Sequence, residues 1–189
     1  VRRAAHLAFP DAAGEPQCRL VLERDGGPGP TAAWLMCNPS RADGLSDDPT
    51  MARVIGHSAR WGYPRSLVGN VWAWRTPYPA DLWPALASGA YTLEMIDANV
   101  EALTMIGGQA DVHIAAFGAE PGRRLPRAIM RAIDAFTLGG RFPLYCIGTT
   151  EDGLPLHPLA RGKLAIPRDV QLQPWDRGER MRLAFEACK

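Results

Sequence analysis

Apolar positions along this chain fall into short continuous runs of strand length, separated by stretches whose apolar residues repeat at helical spacing. Residues 19–23 (Arg-Leu-Val-Leu-Glu) and 32–37 (Ala-Ala-Trp-Leu-Met-Cys) predict two strands. The connection Asp25-Gly-Gly-Pro-Gly-Pro30 between them predicts a hairpin or an edge pairing. Asp48 stands where a helix N-cap belongs, with Pro49 at the first helical position. Met51, Val54, Ile55 and Ala59 then form an apolar stripe that ends at Trp61-Gly62. Residues 66–73 predict a strand, and the Pro- and Trp-bearing run to Gly89 a long loop with one helical turn. A helix over 93–106 turns Ile96, Val100 and Leu103 inward and stops at Gly107-Gly108. Residues 112–116 predict a short buried strand, 123–138 a helix, 142–147 a last strand and 176–187 a closing helix. The 123–138 helix has Leu125, Ile129 and Ile133 on one side and Arg124, Arg127 and Arg131 on a solvated other.

Strand and helix alternate, which predicts a three-layer α/β/α sandwich around a central, largely parallel sheet of four or five strands. A length of 189 residues suits one domain, with a weakly patterned segment over 1–16 and a C-terminal extension over 160–189. Composition is that of a globular protein, with 47% hydrophobic and 22% charged residues. The net charge of +1 supplies no broad field for nucleic acid, so such contact would have to be local. Cys18, Cys37, Cys146 and Cys188 are widely spaced, which excludes a zinc ribbon or thioredoxin-type motif and predicts reduced thiols in a cytoplasmic protein. No run approaches the ~18 apolar residues of a membrane span.

In open parallel sheets, ligands collect beyond the carboxyl ends of the strands. Loops beginning at Asn38, Asn70, Gly118 and Gly148 would converge there. They bring Asn38, Ser40, Asp43, Asp47, Asn70, Arg75, Thr149, Thr150, Asp152 and His157 to one edge. Asp43, Asp47 and Asp48 form no complete cation cage, and Asp48 is explained as a helix cap, so no metal or other cofactor is expected. Arg75 suits phosphate or carboxylate through its planar fork, or else a salt bridge to a loop aspartate. Trp72, Trp74 and Trp83 could stack on a base, but Trp72 and Trp74 alternate on a strand and read as core, and Cys37 reads as a small buried apolar residue without a base beside it.

Several spaced motifs carry a resemblance over most of residues 18–160: Cys18-Arg-Leu-x-Leu-x-Arg24, Asn38-Pro-Ser-x-Ala-Asp43 with Asp47-Asp-Pro-Thr50, Trp61-Gly62, Asn70-x-x-Ala-x-Arg-x-Pro77, Phe117-Gly118 and Gly148-x-Thr-x-Asp-Gly-x-Pro-x-His-Pro-Leu159. Together they resemble the DUF1643 family, which implies no established reaction. A fainter likeness, through Asn38-Pro39-Ser40, Asn70 with Arg75-Thr-Pro77, and His157-Pro158, runs to the uracil-DNA glycosylase superfamily. It implies a glycosylase-like fold and a hydrolase that acts on an N-glycosidic bond. Asn38 would then hold water or stabilise an electron-poor sugar carbon, and Asn70 would read the amide edge of a base. His157 would donate to charge developing on the departing ring, while Ser40, Asp43, Asp47, Arg75, Thr149 and Asp152 would contact ligand. Ser40 stands where the glycosylase turn often has Gly, Leu159 replaces a small residue, and the Asn-Asp pair of the DUF1643 helix is Asn99-Val100 here.

Two other readings fit the same residues. One is an enzyme acting on a small metabolite outside nucleic-acid chemistry. The other is a non-catalytic subunit whose exposed Trp- and Pro-rich loop, residues 72–84, meets a protein partner.

Overall fold

The computed structural model describes residues 1–40, 42–119 and 126–176. Its centre is β3 (Thr31–Met36), six successive buried residues. A continuous apolar run of this kind belongs to a parallel strand covered on both faces. β4 (Arg65–Asn70) and β5 (Val112–Ala115) lie parallel to β3 on either side, and β6 (Leu144–Cys146) adds in parallel to β5. Antiparallel strands extend both edges: β1 (Arg2–Pro10) and β2 (Pro16–Asp25) beyond β4, and β7 (Gln173–Pro174) beyond β6. Among the described residues the sheet therefore has seven strands in the order β1-β2-β4-β3-β5-β6-β7, wider than the four or five expected.

The expected hairpin between the first two predicted strands is not formed, because β4 lies between β2 and β3. The Gly-rich connection crosses the start of β4 instead. Gly26 N–H donates to the Pro64 carbonyl at 2.9 Å. A Cβ on Gly29, which holds φ +143°, would stand 2.7 Å from Pro64 Cγ. Glycine is required where one segment passes this close over another. β1 runs through the segment that looked unpatterned: as an edge strand most of its residues are exposed, so no apolar alternation marks it.

α1 (Pro49–Arg60) covers one face, over a core that includes Trp34, Met36, Val54, Val68 and Ile114. Its N-cap is Asp48, whose carboxylate accepts from Met51 N–H at 2.9 Å. α2 (Pro79–Ala87), α3 (Leu93–Gly108) and α4 (Pro126–Phe136) contribute to the opposite core with Leu82, Leu103, Ile106, Ile133 and Phe136. α2 is a nine-residue helix where only a turn was expected. α3 runs through both glycines that were expected to stop it. A Cβ at Gly107 would lie 2.1 Å from the Phe136 carbonyl oxygen, so this glycine sets how closely α3 meets the end of α4. On α4, Arg127 is exposed and Arg131 pairs with Asp97 at 2.8 Å. Arg124, Leu125, the expected helix beyond Asp176 and Cys188 lie outside the described residues.

β3 leads through α1 to β4 on one side, whereas β5 leads through α4 to β6 on the other. The chain thus reverses direction at the C-terminal ends of β3 and β5. Such a switch point opens a crevice in a parallel sheet.

Candidate functional site

A cavity of about 580 Å³ occupies this crevice. Its walls come from the ends of β3 (Met36, Cys37, Asn38, Ser40) and β4 (Val68, Asn70), the start of α1 (Asp48 to Met51), the loop after β5 (Phe117 to Ala119) and the late loop bearing His157. Asn38, Ser40, Asn70 and His157 are brought together there.

The loops after β3 and β4 are zipped to each other. Val71 N–H donates to Met36 O at 2.9 Å, Trp72 N–H to Cys37 O at 3.1 Å and Thr76 N–H to Pro39 O at 3.0 Å. Asn38 adds to this seam through Nδ2, which donates to Thr76 O at 3.1 Å and to Pro39 O at 3.2 Å. Both amide protons are thereby used on the loops, and Oδ1 accepts from no described residue.

Asn70 is 1% exposed, and neither its Nδ2 nor its Oδ1 has a hydrogen-bond partner. Its backbone is held firmly: Asn99 on α3 donates through Nδ2 to Asn70 O at 2.9 Å and to Val71 O at 3.1 Å. A fixed backbone and an idle buried amide make an unusual pair, because buried polar groups are nearly always bonded.

His157 Nδ1 accepts from Leu159 N–H at 3.1 Å. A backbone N–H can only donate, so the neutral ring must carry its proton on Nε2. Burial lowers the imidazole pKa, and the Asp48 carboxylate only partly opposes that shift. Gly118, at φ +83°, turns the loop after β5 so that its Cβ position lies 3.7 Å from His157 Cβ.

The other predicted ligand contacts do not line the cavity. Asp43 folds back on its own loop: Oδ1 accepts from Leu45 N–H at 2.8 Å and Ser46 N–H at 2.9 Å, and these bonds hold its carboxyl below the ordinary value. Burial alone would raise the carboxyl of Asp47, but bonds from Arg24 (2.6 Å) and Arg3 (3.1 Å) outweigh it and hold it low. Arg75 donates through Nη1 to Pro16 O at 2.9 Å, a backbone carbonyl where a salt bridge or ligand was expected. Thr149 makes a bridge to Pro155, and Asp152 accepts from Thr150 Oγ1. The polar loop after β3 is therefore held by its own Asp43 turn and by arginines of β1 and β2.

Three charged cavity residues were not singled out in advance for ligand contact: Arg19, Asp48 and Arg161. Arg19 could have been found, because it interrupts an otherwise apolar strand between Cys18 and Leu20. In the Trp- and Pro-rich run Trp72 is 4% exposed and meets Trp83 edge to face at 5.6 Å, while Trp74 and Trp83 are half-buried. Among the described residues, no group of three His, Cys, Asp or Glu side chains is arranged to hold a metal ion. No described helix is long and apolar enough to cross a membrane.

An α/β fold with a cavity at the switch point of its sheet, mainly apolar and carrying a few polar side chains, is the class that fold and geometry define. The chain belongs to the DUF1643 family: the sequence model of that family, described as a protein of unknown function, matches residues 19–159. No curated protein and no solved structure matches the chain.

Proposed function

We propose that the cavity binds a nucleobase-bearing ligand through Asn70 and hydrolyses its N-glycosidic bond. The unpartnered amide of Asn70 carries this reading. One carboxamide offers a donor and an acceptor side by side, the complement of a ring edge on which C=O and N–H are adjacent, as in uracil or hypoxanthine. A buried amide left without such a partner would forfeit about 1–3 kcal/mol.

The remaining polar groups suit the bond cleavage. As the C–N bond lengthens, its electron pair moves into the base ring and positive charge grows on the sugar carbon. His157 Nε2–H donates to the base atom that collects the negative charge, a carbonyl oxygen in the case of uracil. A water held by Asn38 Oδ1 forms the new C–O bond and loses a proton to solvent, and the ring is protonated on release. Donors aimed at the leaving group matter more here than a strong nucleophile.

The test is base release, followed by chromatography, from nucleosides, nucleotides and oligonucleotides containing uracil or hypoxanthine. Wild-type protein is expected to release base, with His157→Ala slower by about 100-fold or more. No release from any substrate, or equal release by His157→Ala, would overturn the catalytic reading.

A further inference from the structure

β2 carries two buried arginines whose hydrogen bonding differs sharply. Arg24, 1% exposed, donates to Asp47 Oδ1 at 2.6 Å, Glu23 O at 2.8 Å, Asp43 O at 2.7 Å and Ser46 O at 3.0 Å. Arg19, 4% exposed, donates through Nη1 to Ala42 O and makes no ion pair with any described residue. Its Nε is buried without a partner, and its Nη2 bonds to no described residue. Strand alternation alone would set residues 19 and 24 on opposite faces. A bulge at Leu20, where the register steps from Val21↔His6 to Arg19↔Leu7, brings both to the α1 side of the sheet. Arg24 is thereby committed to the loop after β3, and Arg19 to the wall of the cavity.

Nε–H and one Nη2–H of a guanidinium lie parallel along a single edge, the fork that receives two oxygens of a phosphate or carboxylate. On Arg19 that edge is unspent. Burial pulls its pKa down to about 10, so the group is still a cation at neutral pH. Asp48 is the strongest favourable charge acting on it, but that carboxylate caps α1 through Met51 N–H. The start of α1, at Thr50 and Met51, and Arg161 also line the cavity, and a helix N-terminus favours negative charge. Among the described residues of this wall, Arg19 and Arg161 against Asp48 leave one net positive charge. A buried guanidinium without a counter-ion is costly unless a ligand supplies the anion.

We infer that the ligand is a free nucleoside monophosphate, its base edge on Asn70 and its phosphate on the Nε/Nη2 edge of Arg19. This rests on the base-binding reading above. Arg19 lies buried in the cavity wall, and a net charge of +1 gives DNA little general attraction.

Calorimetric titration compares uridine and inosine with their 5′-monophosphates, with inorganic phosphate, and with a short single strand containing deoxyuridine, on wild-type protein and Arg19→Gln. The monophosphates are expected to bind about 10- to 100-fold tighter than the nucleosides, an advantage that Arg19→Gln abolishes while nucleoside affinity is retained. Equal affinity for nucleoside and monophosphate, or tightest binding by the single strand, would overturn this inference and leave base binding standing. Binding of phosphate alone, with no nucleoside or nucleotide bound, would overturn the base reading and this inference with it. Melting of the unliganded proteins separates a binding role for Arg19 from a structural one: Arg19→Gln is expected to melt near the wild-type temperature, because removal of a buried unpaired charge offsets the lost bond to Ala42 O. A clear fall would assign Arg19 to structure and overturn the inference.

Discussion

At Asn70, backbone and side chain have opposite fates: the carbonyl is fixed by Asn99, while the amide is buried with nothing to bond. Replacing it with Leu, similar in volume, is therefore expected to keep or raise the stability of the unliganded protein by about 1–2 kcal/mol and to abolish ligand binding. Asn99→Ala should do the reverse to the fold, stripping two buried carbonyls of their donor and costing about 1–3 kcal/mol in urea denaturation. A marked loss of stability in Asn70→Leu would mean that the amide has a structural partner after all. Protonation adds a second residue-scale test. Burial lowers the pKa of His57, His113 and His157, so the unfolded chain takes up protons near pH ~6.5 while the folded one resists until lower pH. Their contribution to stability is full above that value and is lost as pH falls through the lowered folded values. The melting temperature should decline from pH 7 to pH 5, and His57→Leu, which removes a ring with both nitrogens unpartnered, should flatten that decline. An unchanged slope would contradict the assignment.

Among the elements, the loop after β3 shows best what was legible in the chain and what was not. The strand, the Asn-Pro-Ser corner and the Asp48 cap are written in local residue types, and all three occur as read. The partners of Asp43 and Asp47 were not legible, because Arg3 and Arg24 reach the loop from β1 and β2, some 20 to 44 residues away in sequence. Arg24→Met is expected to leave Asp47 and two loop carbonyls without their buried donor, costing about 2–4 kcal/mol in urea denaturation. A change below about 0.5 kcal/mol would show the loop to be held by other means. α3 gives a second case. Gly107 read as a stop signal, yet its missing side chain serves the contact with Phe136. Gly107→Ala should therefore force α3 from α4 and cost about 2 kcal/mol or more, an effect that no reading of helix propensity would anticipate, since Ala is the better helix former.

Across the whole molecule, the parallel core β4-β3-β5-β6 was visible in buried runs and intervening helices, whereas the antiparallel edges were not. β1 is exposed and so carries no apolar period, β7 is two residues long, and the order of strands depends on a Gly-rich connection crossing β4. Edge convergence placed Asn38, Ser40, Asn70 and His157 around one cavity. It could not separate them from Asp43, Asp47, Arg75, Thr149 and Asp152, whose bonds turn to their own loops or to the β2 edge. The bulge at Leu20 that faces Arg19 into the cavity was equally invisible, since it appears only in the pairing with β1. The central claim, that Asn70 receives the base edge, is tested most directly by following side-chain amide resonances in ¹⁵N-labelled protein during titration with uridine 5′-monophosphate. The Nδ2 protons of Asn70 are expected to shift downfield in step with saturation while those of Asn99 stay in place. Saturable binding that leaves the Asn70 amide unmoved would contradict the account.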